Sequence, residues 1–266
     1  MKTKNRYEQL IEILFFTYYK EGTTAFEFSR EDFERFAQNL NIPIPKNIGD
    51  LIYSFRYRTP LPEKIKKTCP KKKQWIILPA GRSKYRFQLV DIFEISPNPN
   101  LIQIKIPDAT PGIISIYSLS DEQALLAKLR YNRLVDIFSR VTCFSLQNHL
   151  RTTVPEMGQI ETDEIYVGVD RNGSQFVFPV QAKGRNENLN IIQVHQDIHM
   201  CLYKFPNLIC RPIGAQFLSH DGIVLFEFSD TEDGIRIIQE KHYKLVPPEE
   251  ITESDLTNYR NLKIDD

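Results

Sequence analysis

One stretch of the chain concentrates residues able to act on a phosphodiester. It runs Gly158-Gln-Ile-Glu161-Thr-Asp163-Glu164, through an apolar run to Asp170-Arg-Asn172-Gly173, then through a second apolar run to Gln181-Ala182-Lys183-Gly184. Asn-Gly between two such runs is a strong hairpin signal. A two-residue Asn172-Gly173 loop sets Gln181 opposite Glu164 and Lys183 opposite Thr162, whereas one bulge residue places Asp163 on a face with Gln181 and Lys183. In either register an acidic group, an amide and a lysine meet at one end of a hairpin. Carboxylate and carbonyl oxygens suit Mg²⁺, which keeps waters of its own. The ion polarises a phosphodiester and acidifies an attacking water, and a nearby lysine orients that water or stabilises developing charge. The plain alternative is a solvated acidic hairpin end with a surface lysine.

The elements that must hold these residues can be read on either side. Ser120 is placed to cap a helix running to about Phe138, with Leu125, Leu126, Leu129, Leu134, Ile137 and Phe138 as its stripe. Strands are expected near 147–154, 163–169 and 175–183, a helix from about Glu187 to Leu202, and strands near 209–218 and 223–228. Asp108 to Gly112 reads as a turn, and Asn98 to Asn100 as a linker or turn.

At these residues the chain resembles the PD-(D/E)xK nuclease superfamily and, within it, type II restriction endonucleases. There an Asp opens one strand and Glu-x-Lys or Gln-x-Lys ends the next, matching Asp163 and Gln181-Ala182-Lys183 over roughly residues 120–230. The resemblance implies that Asp163 is the main metal ligand, Gln181 the second with the Ala182 carbonyl between them, and Lys183 the catalytic lysine. Gln181 departs from the carboxylate that most members carry, so a compensating acid is expected, Glu161 or Glu164 being nearest. The resemblance further implies a homodimer with two active sites for two strands.

The first hundred residues have a different character. They carry 18 Lys+Arg against 11 Asp+Glu, a net of +7 that the rest of the chain cancels, since the whole is neutral. Between Lys46 and Arg86, 12 basic residues face two acidic ones, interleaved with Tyr53, Phe55, Tyr57, Trp75, Tyr85 and Phe87, which is the footprint of a polyanion binder. Tyr7–Lys20 has helical apolar spacing and stops at Gly22. Ser29, with Asp32 three residues on, opens a second helix on the stripe Phe33, Phe36, Ala37 and Leu40. After the extended connector Ile42-Pro43-Ile44-Pro45, a third helix runs from Lys46 or Asn47 to about Arg58, with Ile48, Leu51, Ile52 and Phe55 facing inward. Strand-like runs 74–78 and 84–90 then flank Pro79-Ala80-Gly81-Arg82-Ser83. Three helices followed by a hairpin is the order of a winged helix-turn-helix, whose third helix enters the major groove. Asn47, Arg56 and Arg58 are the candidate base readers, and Arg82, Lys84 and Arg86 the candidate backbone contacts. A helical packing domain used for dimerisation is the alternative. The run from Ile48 to Arg58 also looks like the N-terminal domain of some restriction-endonuclease-like proteins.

Other classes are disfavoured. No run of about 18 apolar residues suggests a membrane helix, and the basic Met1-Lys2-Thr3-Lys4 start lacks a following signal-peptide core, so a cytoplasmic protein is expected. Cys69, Cys143, Cys201 and Cys210 form no CxxC pair and read as reduced thiols. No glycine-rich phosphate loop supports a nucleotide cofactor. His195, His199 and Cys201 lack a third ligand at readable spacing, and Gln196 is a weak candidate for a phosphate or a metal-bound water. His149 and Arg151, just upstream of the acidic strand, stand where they could approach the scissile backbone, although a lone His is more often structural.

The expectation is an α/β (α+β overall) chain. It has a winged helix-turn-helix-like DNA-binding domain over 1–97 and a restriction-endonuclease-like core, a mixed sheet flanked by helices, over 98–266. Its expected activity is Mg²⁺-dependent cleavage of double-stranded DNA, with Mn²⁺ as a possible substitute and Asp163, Gln181, Lys183 and Glu161 as the catalytic group. A repair or junction nuclease, or a non-catalytic winged-helix regulator, are the alternatives.

Overall fold

The computed structural model describes residues 6–39, 43, 47–92, 95–117, 122–155, 157–185, 187–218, 222–231 and 234–262. Leu40, Lys46, the helix cap expected at Ser120 and all of the Ile42–Pro45 connector except Pro43 lie outside them. The chain divides into two compact units, residues 1–94 with 153–159, and residues 95–152 with 160–266. The four cysteines are unbonded.

The first unit contains α1 (Arg6–Tyr18), β1 (Ala25–Ser29), α2 (Arg30–Asn39), α3 (Ile48–Tyr57), the single turn α4 (Glu63–Lys66), β2 (Lys73–Pro79) and β3 (Lys84–Asp91). Its strands form an antiparallel sheet in the order β1-β3-β2. Ser29 caps α2 as its residue type and spacing from Asp32 predict: its hydroxyl accepts the Asp32 amide at 3.4 Å, and its own amide donates to the Asp32 carboxylate at 2.8 Å. The same residue also closes β1, which the sequence reading missed because five residues give too short a period-two signal beside the helix. In β1, Phe28 is buried and Glu27 faces out to Arg86 of β3. Leu10, Ile11, Leu14 and Phe15 of α1 meet Phe33, Leu51, Ile52, Trp75 and Phe87 in one core. Phe15 sits edge-on to Phe87 and Trp75 at 5.1 and 5.3 Å, the arrangement favoured by aromatic quadrupoles.

The second unit contains β4 (Gln103–Pro107), α5 (Gly112–Tyr117), α6 (Glu122–Tyr131), α7 (Leu134–Ser139), β5 (Thr142–Val154), β6 (Gly158–Val169), β7 (Gln175–Lys183), α8 (Ile191–Lys204), β8 (Ile209–Cys210), β9 (Ile213–Phe217), β10 (Gly222–Thr231), β11 (Gly234–Val246), a 3-10 turn (Pro248–Glu250) and α9 (Glu253–Asn261). The sheet is open and mixed, ordered β4-β11-β10-β9-β7-β6-β5, with β8 beside β7. Its parallel pairs are β4 with β11 and β7 with β8 and β9. This is an α/β architecture in which α8 is the crossover between the adjacent parallel strands β7 and β9.

The expected single helix from 120 to 138 is instead two, broken at Asn132-Arg133. The buried Asn132 amide donates to the Lys128 carbonyl and Thr110 hydroxyl and accepts the Ala109 amide, while Arg133 adopts φ +51. Those bonds compete with continued helix, and the break leaves Ile137 exposed rather than in the stripe. The next helix starts at Ile191, not Glu187, because the Asn190 side chain caps it by accepting the Ile192 amide at 2.8 Å. Phe178, Val180 and Ala182 of β7 pack in one core with Leu125, Leu126 and Leu129 of α6. Gln181, alternating with them, bonds instead to α8. No helix among the described residues is long and apolar enough to cross a membrane.

Candidate active site

The β6–β7 hairpin adopts the bulged register. Val169 pairs Gln175 and Glu164 pairs Val180, so the loop is three residues, Arg171–Gly173, not two. The Asp170 carboxylate accepts the Asn172 and Ser174 amides, and Gly173 takes φ +82, which only glycine adopts without strain. Continued along the strands, this register brings Asp163 level with Gln181.

The two side chains nevertheless join different neighbours. Asp163 Oδ2 accepts the Ala182 amide at 2.8 Å, bridging β6 to the end of β7. Lys183, the next residue, places Nζ 2.7 Å from Glu122 Oε1 in the first turn of α6. Its side chain is 13% exposed, so the pair is largely shielded from water. Burial raises the Asp163 pKa, against the pull of the Ala182 amide and the Lys183 charge. Burial opposes the Lys183 charge too, but Glu122 and Asp163 outweigh it and hold the ammonium above its ordinary pKa. The outcome is a fixed cation beside two carboxylates at the end of β7, an interior strand of the sheet.

Gln181 is 1% exposed and belongs to a buried chain of hydrogen bonds. Its Nε2 donates to Asp197 Oδ2 at 2.9 Å and to the Glu161 carbonyl at 3.3 Å, and its Oε1 accepts from Gln193 at 3.0 Å. Thr162 donates to the other Asp197 oxygen at 2.6 Å. Burial pushes the Asp197 pKa up to about 7, although both hydrogen bonds favour its anion. The amide oxygen expected at a metal is therefore engaged by α8.

The two acids expected to compensate for it are also engaged elsewhere. Glu161 is exposed and paired with Arg151 at 3.0 Å. Glu164 is fully buried, with Arg130 Nη2 at 3.0 Å and the Ser145 hydroxyl at 2.5 Å. Arg151 thus occupies Glu161, and Arg130 with Ser145 occupies Glu164, and Glu122 and Asp197 are the carboxylates the fold supplies instead. Neither was found from sequence. Glu122 is brought to Lys183 by packing across 61 positions. Asp197 had a usable signal, an acid on a helix face shared with Val194, Ile198 and Cys201, all buried.

The donor set suits a hard cation held lightly. Among the described residues no three His, Cys, Asp or Glu side chains converge as a closed metal cage. Mg²⁺ does not require one, because it is commonly held by one or two carboxylates together with waters and substrate phosphates. Asp163 and Glu122 are the two carboxylates beside the Lys183 end of β7, and Gln181 supports that end from behind.

The basic candidates lie in the first unit. Arg56 is half-buried with its guanidinium 4.8 Å from the Tyr57 ring, and the exposed Arg58 lies 4.8 Å from the Tyr53 ring. Tyr53 and Tyr57 themselves are 4.8 Å apart, so the end of α3 presents alternating cations and rings. Asn47, just before α3, is exposed and makes no side-chain cap. Arg82 and Lys84 are exposed at the β2–β3 turn. Arg86 is half-neutralised by Glu27 at 2.7 Å, which weakens its expected role as a free phosphate contact.

The histidines of α8 remain apart from the site. The His195 and His199 rings are 4.4 Å apart, and burial lowers the His195 pKa to about 4, keeping it neutral. Comparison with known proteins returned no matching family model, no matching curated protein and no matching solved structure.

Proposed function

We propose that this protein is a Mg²⁺-dependent endonuclease of double-stranded DNA, of the PD-(D/E)xK type and closest in character to type II restriction enzymes. The observation that carries the reading is the bond from Ala182 N–H to Asp163 Oδ2, which fixes one carboxylate beside Lys183 while Glu122 holds that lysine's ammonium. Asp163, Glu122 and the Ala182 carbonyl would hold Mg²⁺, which supplies positive charge to polarise the phosphodiester and acidify a water. Mn²⁺ can take its place.

Lys183 directs its N–H donors at the attacking water and the phosphate oxygens, where negative charge develops. It does so preorganised, since its ammonium is already desolvated and held. The Thr162–Asp197–Gln181–Gln193 chain fixes the end of β7 from behind, and with it the Ala182 amide and carbonyl. The first unit acts as a winged helix-turn-helix reader: α1, β1, α2, α3 and the β2–β3 hairpin follow that order, with Arg58 and Arg56 at the end of α3 and Arg82 and Lys84 at the wing tip. Two copies acting together supply the two sites needed to cut two strands.

The test is plasmid DNA incubated with the full chain in Mg²⁺, in Mn²⁺ and in EDTA. Linear or discrete fragments in either metal and none in EDTA are expected; intact plasmid under all conditions would overturn the reading.

A further inference from the structure

His149 is a backbone anomaly beside the candidate site. It lies within β5 yet has φ +48, the left-handed region that is uncommon for L residues although His, like Asn and Asp, enters it more often than most. Left-handed backbone inside a strand is a bulge-like irregularity, a device that re-aims side chains and recurs next to active sites.

The bulge leaves the His149 ring exposed and fixed at one edge. Its Nε2 lies 2.9 Å from the amide nitrogen of Gln123. An amide nitrogen only donates, so the ring Nε2 accepts and the proton of the neutral imidazole sits on Nδ1. Gln123 is the neighbour of Glu122, which holds Lys183. An exposed side chain with a set tautomer is therefore linked through Gln123 and its neighbour Glu122 to Lys183, the residue that follows the Ala182 amide bound by Asp163.

We infer that His149 is a substrate-contacting residue, its Nδ1–H donating to a phosphate oxygen beside the scissile bond, with Gln123 as the positioning residue that sets the tautomer. This rests on the nuclease reading above. Backbone strain is retained here because a side chain is needed at a place that regular strand geometry would not reach.

The test uses His149→Gly, which relieves the left-handed backbone at no steric cost. Its thermal midpoint should equal or exceed that of the wild type. Its single-turnover cleavage rate at saturating enzyme should nonetheless fall about 10- to 100-fold, the loss of one hydrogen bond to a charged group. If the glycine variant fails to fold, His149→Asn, which tolerates the same backbone region, carries the same expectation. Nitrogen-15 NMR of the wild type should show the Nδ1–H tautomer, and Gln123→Ala should lose that preference. Wild-type cleavage by the folded His149 variant, with Asp163→Asn inactive, overturns this inference and leaves the nuclease reading standing. Absence of cleavage by the wild-type protein removes both.

Discussion

Ion pairs of the first unit stand mostly in water: Arg86 with Glu27, Lys66 with Glu63 and Lys73 with Asp91 have both partners between 41% and 77% exposed. Several ion pairs of the second unit are drawn inward, although Arg151 with Glu161 stays exposed. Glu164 in its pair with Arg130 is 0% exposed, Glu227 in its pair with Arg211 4%, and Lys183 in its pair with Glu122 13%. Exposed pairs contribute about 0 to 1 kcal/mol and are screened by salt. Desolvated ones are position-specific, and removing one partner strands the other. A surface of the first kind suits holding a polyanion through many weak contacts. A site of the second kind suits chemistry at one point. The neutral total of the chain, +7 over its first hundred residues against −7 over the rest, is the sum of these two designs.

Substitutions that act on only one side sharpen that contrast. Asp163→Asn should have the largest effect among these, abolishing detectable cleavage and the calorimetric heat of Mn²⁺ binding, because it removes the anchored carboxylate. A persisting heat would move the metal to Glu122 or Asp197. Glu122→Gln should cost about 10²-fold in cleavage rate with little change in DNA affinity, since Lys183 loses its charged partner. A change in affinity alone would make Glu122 a binding residue. Arg58→Ala with Arg82→Ala should raise the DNA dissociation constant about 10-fold and flatten its salt dependence, whereas Arg86→Ala should do much less because Glu27 already pairs it. Equal effects from all three would remove the distinction.

The smallest effect concerns pH. Folding raises the Asp197 pKa from 3.8 to about 7, so the native state favours its protonated form. That contribution is fully present below about pH 4 and is lost as pH rises through about 7. Without divalent metal, the wild type should therefore lose stability relative to Asp197→Asn across this window, in thermal melts run in parallel. Comparing the two proteins cancels the opposite trend from His195, whose lowered pKa acts equally in both. A constant difference would place the Asp197 titration elsewhere.

How far the sequence foretold this structure depends on the range of the interactions involved. Apolar spacing located α1, α3, β2 and β3 closely, because burial of one face is written locally. The hairpin Asp163–Lys183 was legible for the same reason, and its bulged register was one of two that the turn residues allowed. Elements decided by side-chain bonds were not legible: the break at Asn132 depends on Thr110 and Ala109, and the start of α8 on the Asn190 cap. Site composition followed the same division. Asp163 and Lys183 are brought together by neighbouring strands, whereas Glu122 arrives from α6 by packing that the sequence does not write; Asp197 on α8 and His149 on β5 are visible as residues, but their partners are not. Gln181 was read as a ligand from its place in the motif; its burial against α8 makes it a support.

The separation of holding from cutting is tested most directly by Lys183→Ala, with DNA affinity and cleavage rate measured on the same plasmid at one salt concentration. The expected result is a dissociation constant within about twofold of wild type, since the lysine already pairs with Glu122, together with no detectable cleavage in Mg²⁺ or Mn²⁺. Cleavage persisting at the wild-type rate would contradict the account, because the ammonium beside Asp163 would then take no part in the chemistry.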